Sequence, residues 1–179
     1  MNALISIHNS IFRKIEESFG PWLLPTLARF TLAATLLIYF WNSASLKIGA
    51  GLFGFLDVSN AYAQIYPRAF DAAGYDSDAM TTFQWLITLV GTWSEFLLPL
   101  LIVIGLFTRI AALGLIGFII LQSLTDIYGH MATEYGAWFD RASDGTIMDQ
   151  RLFWITTLLI LVIRGAGPFS LDRLLGRAA

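Results

Sequence analysis

Two ionisable residues interrupt otherwise apolar runs, and chemistry is to be sought there first. Arg29 is the one charge between Trp22 and Trp41, and Glu95 the one charge between Phe83 and Leu106. An ionised group in hydrocarbon costs several kcal/mol unless it is paired or hydrated. On a helical rise, Arg29 lies roughly 10 Å in from one end of its run and Glu95 about 16 Å from the same end of its own. An arginine side chain bridges that difference, so the pattern predicts an Arg29–Glu95 ion pair facing the interior, with Asn42, Ser94 and Gln122 as polar neighbours. Such a pair either fixes helix register or binds a quinone head group, a proton or a small solute. A second constellation is Asp126, His130 and Glu134. Its i, i+4, i+8 spacing puts all three on one face if the helix continues, and carboxylate with imidazole ligates zinc or copper. Gly129 and Gly136 weaken that helix, so a solvated helix end is the competing reading.

Composition removes much other chemistry. The 179 residues include no cysteine, which excludes disulfides, thiolate metal sites, iron–sulfur clusters and dithiol redox reactions. His8 is the one other histidine, expected across the membrane from His130, so a haem held by two histidines is not expected. Met80, Met131 and Met148 are too scattered for a soft-metal site and read as packing residues. No G-x-S-x-G elbow, P-loop or H-E-x-x-H occurs, and no catalytic residue is assigned. Gly49, Gly51 and Gly54 have dinucleotide-fingerprint spacing but follow an apolar helix rather than a strand, so no nucleotide is expected. Eleven Lys plus Arg against thirteen Asp plus Glu give a net charge of −2, which offers no basic surface to a nucleic acid.

The elements that must position these residues are apolar helices. The chain is 56% hydrophobic and 13% charged, against roughly 25% charged in an average soluble domain. Its mean hydropathy of +0.66 suits a solvent that is partly lipid. Trp22 to Trp41 is long enough to span about 30 Å of hydrocarbon. Pro21 and Pro25 sit near its first turn, and Trp22, Tyr39 and Trp41 mark its two interfaces. In Phe83 to Leu106, Pro99 is expected to kink the helix without ending it. Gly105 to Arg109 has room only for a tight turn before a third span, Ile110 to Leu124, which runs on to Asp126 or Tyr128 and shows Gly114 and Gly117 as a small-residue face. The last run, Leu152 to Ile163, reaches only about 18 Å. Arg151 and Arg164 must snorkel, or that helix must start near Ile147. The fold class is therefore read as all-α: one domain over residues 1–179, a polytopic membrane four-helix bundle with spans at about 22–45, 83–106, 110–128 and 148–166.

Before the first span, Leu4, Ile5, Ile11, Phe12, Ile15 and Phe19 fall near one helical face with Arg13, Lys14, Glu16 and Glu17 opposite. This reads as an interfacial amphipathic helix rather than a cleavable signal. Four spans put both termini on one side. There Arg13, Lys14, Arg109, Arg164, Arg173 and Arg177 outnumber Lys47, Arg68, Arg141 and Arg151 on the other, which favours cytoplasmic termini. The first external loop, Lys47 to Thr82, is too long and too aromatic for a plain connector, and is expected to form a lid of interfacial or re-entrant helices. Gly165 to Asp172 ends the fourth helix with glycine and proline and opens a short last helix at Ser170.

Taken in order, these features resemble the DoxX-like family of small four-helix bacterial inner-membrane proteins. The matching elements are Arg29 early in the first helix, Lys47 just after it, Glu95 in the second with Gly105-Leu106-Phe107-Thr108-Arg109 closing it, and the terminal Gly165-Ala166-Gly167-Pro168-Phe169-Ser170-Leu171-Asp172. The resemblance runs from about Leu23 to Asp172. It implies an inner-membrane location and, through the subunit of a thiosulfate:quinone oxidoreductase that named the family, a quinone-linked role; Lys47 and Arg109 are then accessory polar residues to Arg29 and Glu95. Two functions follow. In the first, a redox-associated subunit without its own redox centre holds quinone or quinol beside Arg29 and Glu95, while a membrane or periplasmic partner supplies electrons. In the second, a non-enzymatic scaffold or small-solute or metal-handling protein uses the ion pair to hold the bundle and its acidic loops to recruit a partner or collect cations. Four short helices leave lipid-facing surface for a monomer or a homo-oligomer.

Overall fold

The computed structural model describes residues 2–176, so Arg177, counted above for orientation, lies outside them. Among the described residues the structure is helical and has no strand. After α1 (Asn2–Phe19), α2 (Leu23–Leu32) passes through a π-helical stretch, Ala33–Leu37, into α3 (Ile38–Ser45) without a break. The first loop carries two short helices, α4 (Tyr62–Ile65) and α5 (Pro67–Ala72). Then come α6 (Thr82–Ile104), α7 (Thr108–Leu124) with a π-helical turn to Gly129, α8 (Met148–Arg164) and α9 (Leu171–Leu174). Three helices, Leu23–Ser45, Thr82–Ile104 and Thr108–Gly129, are long and apolar enough to cross a membrane, which makes this a membrane protein. At 17 residues α8 is shorter; it begins at Met148, beside the expected Ile147.

The long helices pack in sequence around a core. α6 lies against α2–α3 on one side and α7 on the other, and α8 closes on α7 and α2. The first helix turns Ala28, Leu32, Leu36, Phe40 and Ala44 inward, one residue in four. In a regular α-helix each four-residue step drifts by about 40°; the wider π-helical turn takes up part of that drift and keeps the stripe on the core. α6 buries Thr88, Thr92, Glu95, Pro99 and Ile102. Pro99 leaves the helix unbroken but offers no N–H to the preceding turn, where the Trp41 indole donates to the Phe96 carbonyl at 3.1 Å. Outward faces are apolar instead, with Phe30, Ile110 and Ile163 each about two-thirds exposed or more, as a lipid-facing surface requires.

The first loop is helical in pieces and is sewn to α6. It buries Val58, Ala61, Tyr62 and Phe70, and the indoles of Trp85 and Trp93 donate to the carbonyls of Leu56 and Phe55. α1 is the helix expected from its pattern. Its apolar residues, from Leu4 to Phe19, stay uncovered by the rest of the chain, and it touches the bundle's charges through Glu16 and Arg164 at 3.9 Å.

At the end opposite the loops, the turn between α6 and α7 is held from two sides. Gly105, at φ 72°, ends α6 in the left-handed conformation; its N–H and that of Leu106 return to Ile102 and Leu101, a Schellman closure. Arg29 reaches this end from α2. It donates to the carbonyls of Ile102 (3.0 Å) and Val103 (2.6 Å) in the last turn of α6, and to those of Ala166 (3.1 Å) and Phe169 beyond α8. Asp172 of α9 caps α7 by accepting from the N–H groups of Phe107 (2.8 Å) and Thr108 (3.0 Å) and from the Thr108 hydroxyl (3.0 Å). A cation thus meets a helix C-terminus and an anion a helix N-terminus, the favourable sense for each dipole. Ser170 opens α9 as expected, accepting from Arg173 N–H. A Cβ at Gly105 would stand 2.5 Å from the Ser170 Cβ and 3.0 Å from the Arg29 Cζ. Gly105→Ala is therefore expected to destabilise the fold by about 2 kcal/mol or more, through both strain and displaced Arg29, read as a lowered thermal midpoint in detergent; a wild-type midpoint would contradict the clamp.

Candidate functional site

The polar residues of the core gather at the loop end. Lys47 lies just beyond α3, and Leu46 N–H and Lys47 N–H turn the chain back onto the carbonyls of Asn42 and Ala44. The side chain points inward, 2% exposed, where Nζ donates to the Ser43 Oγ at 3.0 Å and bridges to Glu95 Oε1. Glu95 is itself only 3% exposed.

The expected Arg29–Glu95 pair does not form. Arg29 is occupied by the backbone carbonyls at the turn end, while Glu95 stands seven residues before Ile102, about 10 Å up the helix, within reach of Lys47. Depth weighs only charges inside the apolar runs, and so it leaves out a lysine two residues past a helix whose four-carbon stem leads back into the bundle.

A cavity of about 640 Å³ opens beside this pair between α6 and α7. Lys47, Glu95, Ser94 and Gln122 form its polar end, Val90, Leu98, Phe118 and Leu121 its apolar wall, and Gln64 and Tyr66 of the first loop its cover. Glu95 Oε2 and Gln122 Oε1 are buried there without a hydrogen-bond partner. Burial pushes the Tyr66 phenol above its usual range, so it enters as a neutral hydroxyl. Gly91 and Gly117 line the space from the two facing helices, and a Cβ at Gly117 would meet nothing within 4 Å. Ser94 Oγ donates to the Val90 carbonyl at 2.7 Å. Asn42 and Arg109 are exposed instead and line neither this cavity nor its neighbour.

That neighbour, of about 600 Å³, lies among α2–α3, the end of α7, the second loop (residues 130–147) and α8. Its floor carries a second ion pair, Arg151 Nη2 to Asp126 Oδ2 at 2.5 Å, with Arg151 Nη1 donating to Ser123 Oγ at 2.9 Å. Arg151 does not snorkel; it is 7% exposed and turned inward. The metal triad is not assembled. The helix ends at Gly129, His130 Nε2 lies 2.9 Å from the Gln64 carbonyl, and Glu134 is exposed in the loop. Among the described residues no three His, Cys, Asp or Glu groups converge on a point that could hold a metal ion. Arg151 and Tyr39, whose hydroxyl is 3.4 Å from Gln122 Nε2, are the members that sequence reasoning missed. Opposite charges at the loop ends of two consecutive apolar runs, Asp126 and Arg151, were the available signal.

Comparison with known protein families, curated proteins and solved structures finds no match. Chemistry must be argued from the geometry. A buried ion pair with one open carboxylate oxygen can accept a hydrogen bond from a ligand hydroxyl while the ammonium donates to it. The same pair carries a structural cost that a substitution exposes. Lys47→Met leaves Glu95 without its cation and is expected to destabilise the protein by about 3–5 kcal/mol, whereas Lys47→Met with Glu95→Leu recovers most of the loss. Thermal unfolding in detergent reads both, and a double variant no more stable than the single one would contradict the pairing.

Proposed function

We propose that this chain is a DoxX-like integral membrane protein that binds a quinol or quinone at the Lys47–Glu95 pair and serves as a subunit of a membrane oxidoreductase. The observation that carries this reading is the pairing, in one cavity, of an ion pair bearing an open carboxylate oxygen with long apolar walls. A quinol asks for that combination: its ring oxygens need a donor and an acceptor, and its ring and isoprenoid tail need apolar cover. Glu95 Oε2 accepts from one ring hydroxyl and Lys47 donates to the same oxygen, while Phe118 and Tyr66 flank the ring. The glycines at 91 and 117 leave a slot between α6 and α7 by which a lipid-soluble molecule enters from the side. With no cysteine in the chain and no second histidine near His130, electrons pass between the bound cofactor and a partner, and this protein binds and orients.

In this reading α8 is the fourth span of a bundle in the bacterial inner membrane, with both termini cytoplasmic and α1 in the interface. The first loop then covers the external mouth of the cavity and, with the acidic second loop, receives the partner. A scaffold role is the second reading, favoured by the way Lys47–Glu95 ties the end of α3 to the middle of α6.

Quenching of tryptophan fluorescence by a short-chain ubiquinol in detergent-purified protein separates the two. Lys47→Met with Glu95→Leu, which removes the pair without leaving either charge alone, and Gly117→Leu, which fills the cavity, are each expected to weaken binding about tenfold or more, with folding intact. Undiminished affinity in both variants overturns the quinol reading. Intact affinity with loss of a co-purifying membrane partner supports the scaffold.

A further inference from the structure

The inner cavity, at Lys47–Glu95, and the outer one, at Asp126–Arg151, are divided by polar side chains. Asp126 lines both. Gln122 faces the inner space and Tyr39 the outer one, and the two meet across the partition at 3.4 Å. On the inner side Glu95 Oε2 and Gln122 Oε1 lack partners, and on the outer side Arg151, more than nine-tenths buried, has an unpartnered Nε. Buried polar atoms left open in a helical bundle are costly unless water reaches them, and each space is many times the volume of one water. Both interruptions of regular helix face this region: Thr35 and Leu36 of the first π-helical stretch and Asp126 of the second line the outer cavity. π-helical turns occur frequently at functional sites.

We infer that the two cavities form one aqueous half-channel, which opens beneath the second loop and ends at Glu95, with the Asp126–Arg151 bridge as its gate. Its cargo is water and protons. A proton carried by water in the outer cavity passes to the Asp126 carboxylate, from there to water in the inner cavity and on to the Glu95 carboxylate, and it leaves by the same path; nothing is oxidised or reduced. The charged and titratable groups along the way are few. Glu95 faces Lys47 and Tyr66, and Asp126 faces Arg151, with His130 and Tyr39 lining the outer space. The bridge closes the route because Arg151, itself held to Ser123 at 2.9 Å, holds at 2.5 Å the one carboxylate that lines both spaces. Both faces of an intramembrane carboxylate thus gain a use: Oε1 holds the lysine and Oε2 faces water, as in proton relays of membrane proteins generally. The inference stands whether or not a quinol is the ligand of the inner cavity.

The absence of native cysteine gives a clean test. Ser94→Cys places a single thiol at the inner end, and Gly117→Cys, where a Cβ meets nothing within 4 Å, provides a second reporter if the first fails to fold. The probe is a membrane-impermeant trimethylammonium methanethiosulfonate, applied to right-side-out and to inverted vesicles, with a membrane-permeant maleimide to count folded, reactive protein. Labelling is expected from the loop side. Thr146→Trp, which fills the outer cavity, is expected to slow it tenfold or more, and Asp126→Asn, which loosens the gate, to speed it severalfold. Labelling from the termini side alone, labelling by the permeant reagent alone, or a rate indifferent to both substitutions overturns the half-channel.

Discussion

Everything above the turn between α6 and α7 depends on how that turn is held. Two helix ends meet there, one presenting bare carbonyls and the other bare N–H groups, in surroundings where water is scarce and each unpaired group costs several kcal/mol. Arg29 answers the carbonyls of Ile102 and Val103, and Asp172 answers the N–H groups of Phe107 and Thr108. Because Arg29 also holds the carbonyls of Ala166 and Phe169, one guanidinium joins α2, α6 and the segment after α8. The fork of donors on an arginine suits this task; a lysine, with one nitrogen, could not span four acceptors so placed.

The two ends of the bundle are built on opposite principles. At the turn end the core is apolar, with Leu32, Ile102, Ala112, Leu158 and Leu161 fully or almost fully buried, and charges serve the backbone. At the loop end polar side chains enter the core, with Thr88, Thr92, Glu95, Lys47 and Arg151 buried among apolar residues such as Phe40 and Ile119. A firmly packed base and a cavity-bearing top is a division of labour that lets a small protein keep a fixed frame while leaving open space at one end.

Run lengths and punctuation made the helices legible. Three of the spans, the unbroken passage through Pro99, the tight turn at Gly105 and the opening of α9 at Ser170 all follow from residue type and spacing. The partners were harder to read. An arginine within an apolar run reads as a charge in search of a charge, because sequence displays side chains and hides the acceptors that every helix terminus carries. Lys47 reads as a loop residue because the reversal of the chain after Leu46 is not written in any turn motif. The triad of Asp126, His130 and Glu134 presumed a helix that Gly129 ends, after which periodicity no longer says where side chains point.

The shortness of α8 shapes the molecule's surroundings as well as its interior. Seventeen residues rise about 25 Å, against about 35 Å for the 23 residues of α6. A body whose flanks differ in height tapers, and a bilayer meets such a body by thinning against its low side. With α8 as the proposed fourth span, the headgroups along it descend toward the buried Arg151 and the outer cavity. In that arrangement lipid composition, through the thickness and charge of that leaflet, sets how near the bilayer surface comes to the outer cavity.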